Sequence, residues 1–146
     1  CIRRRWPCEP DTYDRLRETY GSVGVVGGAG ALVTDADGRV LLIRYGGDGE
    51  WSDPGTERRP GESLSSCAAR AVREDAGVTC VVEDLAQIHL LYADDGTGRP
   101  PVPRPFALFT ASHESGEARP VGSDVEAVQW WSTFPEDLRY EELREL

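Results

Sequence analysis

Lysine, asparagine and methionine are missing from this chain, so all sixteen basic side chains are arginines, set against twenty-six Asp and Glu. The resulting net charge of −10 excludes a nucleic-acid partner in the usual sense, because such binding draws its affinity from cations that neutralise phosphates and release counterions. A small phosphorylated ligand stays compatible, since a divalent cation can supply the positive charge. A GC-rich coding sequence would give this usage, and the acid excess resembles that of salt-adapted, halophile proteins. No apolar run approaches the roughly 20 residues of a membrane span, and no basic-then-apolar segment opens the chain. The expectation is a soluble, cytoplasmic protein without a membrane partner. With no Met present, Cys1 is not expected to be the translation start. Cys-x-x-Cys spacing is absent too: Cys1, Cys8, Cys67 and Cys80 read as reduced, unpaired thiols, and a truncated metal knuckle at Cys1 and Cys8 lacks a nearby His. There is no Gly-x-Ser-x-Gly and no Walker loop, and neither His89 nor His113 has a partner set for nucleophilic catalysis.

What is there suffices for one domain with its own core: 146 residues, too few for two ordinary ones. Asp11 to Gly21 reads as a short capped helix with Tyr13, Leu16 and Tyr20 on one face. From Val23 the period changes. Val23, Val25, Val26 and Ala31–Val33, then Arg39–Tyr45, flank the turn at Asp35–Gly38 and predict a hairpin. Gly24, Gly27, Gly28 and Gly30 are no dinucleotide fingerprint, because a strand and not a helix follows; a bent or bulged strand is expected. Ser63 to Asp75 is the strongest helix signal, with a Ser cap, alanines, an end at Gly77 and a buried stripe of Leu64, Ala68 and Val72. Val78–Val82, Ile88–Tyr92, Phe106–Ala111 and Val125–Trp131 read as strands, 93–101 as a long turn and 113–123 as polar loop. Pro135-Glu136-Asp137 is expected to open a terminal helix. The order predicts an α+β fold with a mixed sheet.

Between Trp51 and Val78 the residues change character. Trp51-Ser52-Asp53-Pro54-Gly55-Thr56-Glu57-Arg58-Arg59-Pro60-Gly61-Glu62 is followed by seven residues, then Arg70-Ala71-Val72-Arg73-Glu74-Asp75-Ala76-Gly77-Val78. Hydrolysing a phosphoanhydride needs a hard divalent cation with oxygen ligands, so carboxylates must converge, and a helix gathers them at i, i+3 and i+4. The stretch over residues 55–78 resembles the Nudix box, whose pattern is Gly, five residues, Glu, seven residues, then Arg-Glu-apolar-any-Glu-Glu-any-Gly-apolar. Glu62, Arg70, Glu74, Asp75 and Gly77-Val78 fall on the pattern, while Thr56 replaces its opening Gly and Ala71 the first acid of its helix.

The resemblance implies a Nudix-like mixed β-sheet sandwiched between helices, over 22–146, with 1–21 as an N-terminal extension carrying the short helix. It implies Mg²⁺ (or Mn²⁺) held by Glu62, Glu74 and Asp75, with Glu74 and Arg70 in the catalytic machinery and Arg70 orienting the acids. Because Ala71 deletes what is a main metal ligand in the family, Asp124 or Glu126, shortly before Trp130, is a candidate stand-in, with Glu57 a further one. Arg44, Arg58 and Arg59 are placed by sequence to meet phosphates, a task suited to the guanidinium fork. Tyr45 and Trp51 flank the loop and Tyr92 ends a strand, where aromatics either stack on a base or fill the core. Two functions stay open. One is a hydrolase, or pyrophosphatase, of a nucleoside diphosphate linked to another group; the other is a module that has lost catalysis and binds a nucleotide or a protein. Homodimers, common in the family, are a further expectation.

Overall fold

The computed structural model describes residues 2–7, 9–23, 27–47, 49–98, 100 and 102–146. Cys1, Cys8, Val25 and Val26 therefore lie outside the described residues. In chain order the elements are β1 (Ile2–Pro7), α1 (Pro10–Val23), β2 (Gly28–Thr34), β3 (Val40–Tyr45), β4 (Gly55–Glu57), α2 (Leu64–Ala76), β5 (Thr79–Asp94), β6 (Val102–Ser115), β7 (Val125–Trp131) and a 3₁₀ turn at Glu141–Glu145. The strands form one sheet in the order β1-β5-β6-β2-β3-β7, with β4 on β2. The pairs β1–β5 and β2–β6 are parallel and the others antiparallel, so the sheet is mixed and the fold α+β.

The start of the box is woven into this sheet. Ser52 bridges Ile43 of β3, and three residues later β4 pairs with the first half of β2, Gly28 against Glu57 and Gly30 against Gly55. The segment therefore occupies the space between β2 and β3, which pair directly only at Thr34 and Val40. Gly28 and Gly30 make that approach feasible: a Cβ on Gly28 would run into the Thr56 carbonyl, and one on Gly30 into the Asp53 carboxylate and the Pro54 carbonyl. The glycines that suggest a dinucleotide fingerprint thus serve a close backbone crossing.

Helix α2 forms because both ends are satisfied. The Ser63 hydroxyl accepts from Ser66 N (3.2 Å), and Gly77, at φ 74°, turns left-handed and donates to Arg73 O (3.1 Å). Its buried face is made of small groups, Cys67, Ala68, Val72 and Ala76, which let the helix lie close on Ala29, Ala31, Val33 and Leu41. Leu64, expected in this stripe, is 40% exposed at the first position of the helix. Leu32, Leu42, Trp51 and Leu108 pack on the opposite face beneath Leu138 and Leu143.

Several boundaries differ from expectation. Val23 ends α1 instead of starting a strand, and β5 is continuous across the gap expected between two pieces, with register shifts at three points that absorb its irregular pattern. Strand β6 runs through His113 to Ser115. Pro135-Glu136-Asp137 opens no helix; Trp51 N donates to Asp137 O and Arg139 N to Trp51 O (both 2.8 Å), so this stretch runs beside Trp51 and helical turns begin only at Glu141. The unexpected β1 adds a parallel edge strand to β5.

Candidate functional site

Arg70 is the hub of the box. Although it sits on α2, it is buried, because its guanidinium turns back to the loop before the helix: Nε donates to Glu62 Oε2 (2.7 Å), and Nη2 to Glu62 Oε1 and Glu57 O (each 2.9 Å). Such fork geometry is the strong form of an ion pair. Arg70 holds the Glu62 carboxyl down at about 2, helped by the Arg59 N–H on Oε1 (3.1 Å) and opposed by burial. Both Glu62 oxygens are thereby committed. Glu74, one turn on, lies 3.5 Å from Arg70 Nη1 and 3.5 Å from Arg59 Nη2, half in solvent.

Asp75 is placed differently. Its Oδ2 accepts from the Tyr45 hydroxyl (2.9 Å), delivered from the end of β3. The same phenol oxygen accepts the Gly55 N–H (3.3 Å) and stands 3.2 Å from the Gly55 carbonyl. Since a phenol has one proton, the charged carboxylate takes it and the carbonyl contact is secondary. Burial raises the Asp75 carboxyl; Tyr45 opposes this, while the nearby charges of Asp124 and Glu74 add to it. Burial also raises the Tyr45 phenol, the Asp75 charge adding to it, so the hydroxyl remains a donor throughout the working pH range.

Between Glu62 and Asp75 lies Ala71, 1% exposed. Cys67, Ala71 and Asp75 follow at four-residue intervals and share one face of α2. Both flanking residues touch the loop, Cys67 through its thiol on Thr56 O (3.5 Å) and Asp75 through Tyr45 on Gly55. Ala71 thus faces the loop at the centre of the box without a carboxylate to offer. Of the candidate stand-ins, Asp124 comes up beside Asp75: their Oδ1 atoms lie 3.4 and 2.6 Å from where a side chain on Gly122 would begin. Glu126 instead pairs with Arg44 (3.4 Å), and Glu57 with Arg15 (3.4 Å) and Arg104 (3.3 Å).

The remaining candidates are spread along the loop. Arg58 Nη1 donates to Glu62 O (3.3 Å) and so braces the turn. Arg59, with a side chain 64% exposed, reaches solvent beside Glu74. Arg44 lies over the Trp51 ring at 5.1 Å, and its Nε is buried with no hydrogen-bond partner. Trp51 itself is 7% exposed and edge-on to Trp131 (5.1 Å), so its ring belongs to the core. Tyr92 lies far along β5, paired with Pro103.

Two features were not foreseen. One is the Tyr45–Asp75 bond, between residues thirty apart in sequence. The other is Asp53, buried on the Trp51 side with Oδ2 unpartnered; burial pushes its carboxyl up to about 7. Two-residue alternation from the apolar Trp51 was the available signal for its inward direction. A cavity of about 390 Å³ lined by Ile2, Leu85, Ala86, Gln87, Ile88 and Glu145 lies away from all these residues.

The fold and the loop–helix frame define a mixed-sheet α+β protein with an arginine-bridged acidic box. A family model described as NUDIX domain matches residues 25–143, and the chain belongs to the Nudix family, whose members are hydrolases. No match is found among curated proteins. Among solved structures the chain is similar to the MutT protein of Methanosarcina mazei Go1 (23% identity, TM-score 0.60, covering 74% of this chain and 77% of that one). It is also similar to an Ap4A hydrolase of C. elegans (18%, 0.63, 83% and 91%) and to a MutT protein of Bacillus halodurans (25%, 0.59, 73% and 68%). At these identities the likeness is one of fold.

The family implies a divalent cation. Against that, both Glu62 oxygens are on Arg70, Asp75 Oδ2 is on Tyr45, and the position between them is a buried alanine. Among the described residues, no three Asp, Glu, His or Cys groups converge on a point where an ion could be held. The donor set as arranged does not fit the family's cation.

Proposed function

We propose that this chain is a binding member of the Nudix family, recognising a small phosphorylated, nucleotide-type ligand at the loop of the box and no longer cleaving it. The observation that carries this reading is that the acids are engaged internally, Glu62 in an ion pair with Arg70 and Asp75 in a hydrogen bond from Tyr45, with Ala71 between them in sequence. A hard cation would have to displace a bidentate guanidinium to reach Glu62, which leaves within the box only Glu74, itself beside Arg59 and Arg70, and one oxygen of Asp75. Phosphate recognition falls to Arg59, whose side chain is 64% exposed at the loop beside Glu74.

One observation favours a second reading, Mg²⁺- or Mn²⁺-assisted hydrolysis of a nucleoside diphosphate linked to another group. Asp124 stands beside Asp75, where it adds a carboxylate from outside the box. A phosphate-release panel over nucleoside triphosphates, ADP-ribose and dinucleoside polyphosphates, with Mg²⁺ and Mn²⁺ at low and molar salt, separates the two. The binding reading expects no release, together with ligand-induced thermal stabilisation that Arg59→Ala weakens. Turnover that Asp124→Asn abolishes would establish the second.

A further inference from the structure

We propose that the Tyr45 hydroxyl takes the place of the cation in this box, and that with Ala71 standing where the pattern has an acid it converts a metal seat into a hydrogen-bonded plug. The inference rests on the binding reading above and names the group responsible for it.

A hard ion in this frame would draw on the backbone oxygen of the loop turn and on the carboxylates of α2 that face it. Here the phenol sits at that junction, 2.9 Å from Asp75 Oδ2 and 3.2 Å from Gly55 O, while accepting the Gly55 N–H at 3.3 Å. It links loop and helix as an ion would, with a single proton in place of two positive charges.

Ala71 lies one turn before Asp75 on the same loop-facing stripe, and Cys67, one turn earlier, meets Thr56 O. A carboxylate at position 71 would project toward the Gly55–Thr56 turn, against the place the Tyr45 hydroxyl holds. With two acids already brought together at Asp75 and Asp124, a third would add repulsion that one neutral phenol cannot offset. With an alanine there, the phenol has only the Oδ2 of Asp75 to serve. The alanine at position 71 therefore leaves room for the Tyr45 hydroxyl between loop and helix.

The test measures Mn²⁺ binding to the whole chain by isothermal titration, using the ion alone, for wild type, Tyr45→Phe, Ala71→Glu and the double variant. Phenylalanine keeps the ring and removes only the hydroxyl, so its fold is secured by the same packing. Removing one charge-assisted hydrogen bond from the competing arrangement should raise Mn²⁺ affinity about tenfold in Tyr45→Phe. The double variant should exceed either single change by at least about tenfold again, a coupling that independent sites would not give. An unchanged affinity in Tyr45→Phe, or an Ala71→Glu variant that binds Mn²⁺ as tightly as the double, would overturn the plug. Should Ala71→Glu not fold, the Tyr45→Phe comparison decides alone. Metal-dependent phosphate release by the wild type would defeat the binding reading and the plug together, whereas no release with an unchanged Mn²⁺ affinity in Tyr45→Phe would defeat the plug alone.

Discussion

Asp53 is the side chain whose environment suits it least. Its Oδ2 is buried without a partner, packed where a side chain on Gly30 would be, and burial moves its carboxyl from 3.8 to about 7 against a hydrogen bond from its own backbone and the attraction of Arg139. In the unfolded chain Asp53 ionises near its ordinary value, whereas the folded chain keeps the proton until about pH 7. Between those values the native state binds the extra proton, so stability falls as pH rises from about 4 to about 7 and levels off above. Asp53→Asn should flatten that slope and stabilise the protein by a few kcal/mol at pH 8, read by urea denaturation across the window. A slope equal to wild type would remove Asp53 as its source. Arg70 is the opposite case. Lysine keeps its charge but not its fork, so Arg70→Lys should lose about 1–2 kcal/mol and release the Glu62 carboxyl from about 2 toward its ordinary 4.5, a shift NMR titration reads directly. Neither partner of the Asp75–Tyr45 bond announces it in sequence, because side-chain pairing across elements depends on register and not on local pattern.

At the scale of elements, legibility follows how local the determinants are. Helix α2 was readable because its cap, its small buried residues and its terminal Gly77 all lie within fifteen consecutive positions, 63–77. Ser63→Ala should therefore lower stability by about 1 kcal/mol, since Ser66 N loses its acceptor; a calorimetric melting temperature indistinguishable from wild type would show that the cap is redundant. The hairpin of β2 and β3 was foreseen, yet most of β2's edge is taken by β4 and β6, which lie far along the chain. Strand β1 has three consecutive arginines and no alternation to advertise it; its pairing with β5 is a tertiary matter, and charge on an edge strand discourages further pairing. The terminal helix failed because residues 137–139 satisfy their backbone groups against Trp51, a partner that a helix signal does not see.

At the scale of the whole molecule, the mixed sheet and the arginine-bridged box were legible because a spaced set of residues carries them, while the commitment of the acids depends on two side chains arriving from outside that set. Charge is the property that belongs to this scale. With a net of −10 and ion pairs such as Arg39–Asp35, Arg70–Glu62 and Arg144–Glu141, salt acts in two directions, weakening local attraction and relieving general repulsion. The exposed pairs each contribute little, and the Arg70–Glu62 pair is sheltered from solvent, so screening it costs less than screening the surplus acids gains. The melting temperature should rise by roughly 3–5 °C as NaCl increases from about 0.05 to 1 M, an effect on the order of 1 kcal/mol for a domain of this size. Most of the gain should come below about 0.3 M, where the Debye length falls beneath the spacing of surface charges; a rise that stays linear to 1 M would point to solute exclusion instead. A fall across the low-salt range would mean that the ion pairs outweigh the net repulsion, and the acid excess would then need an explanation other than salt.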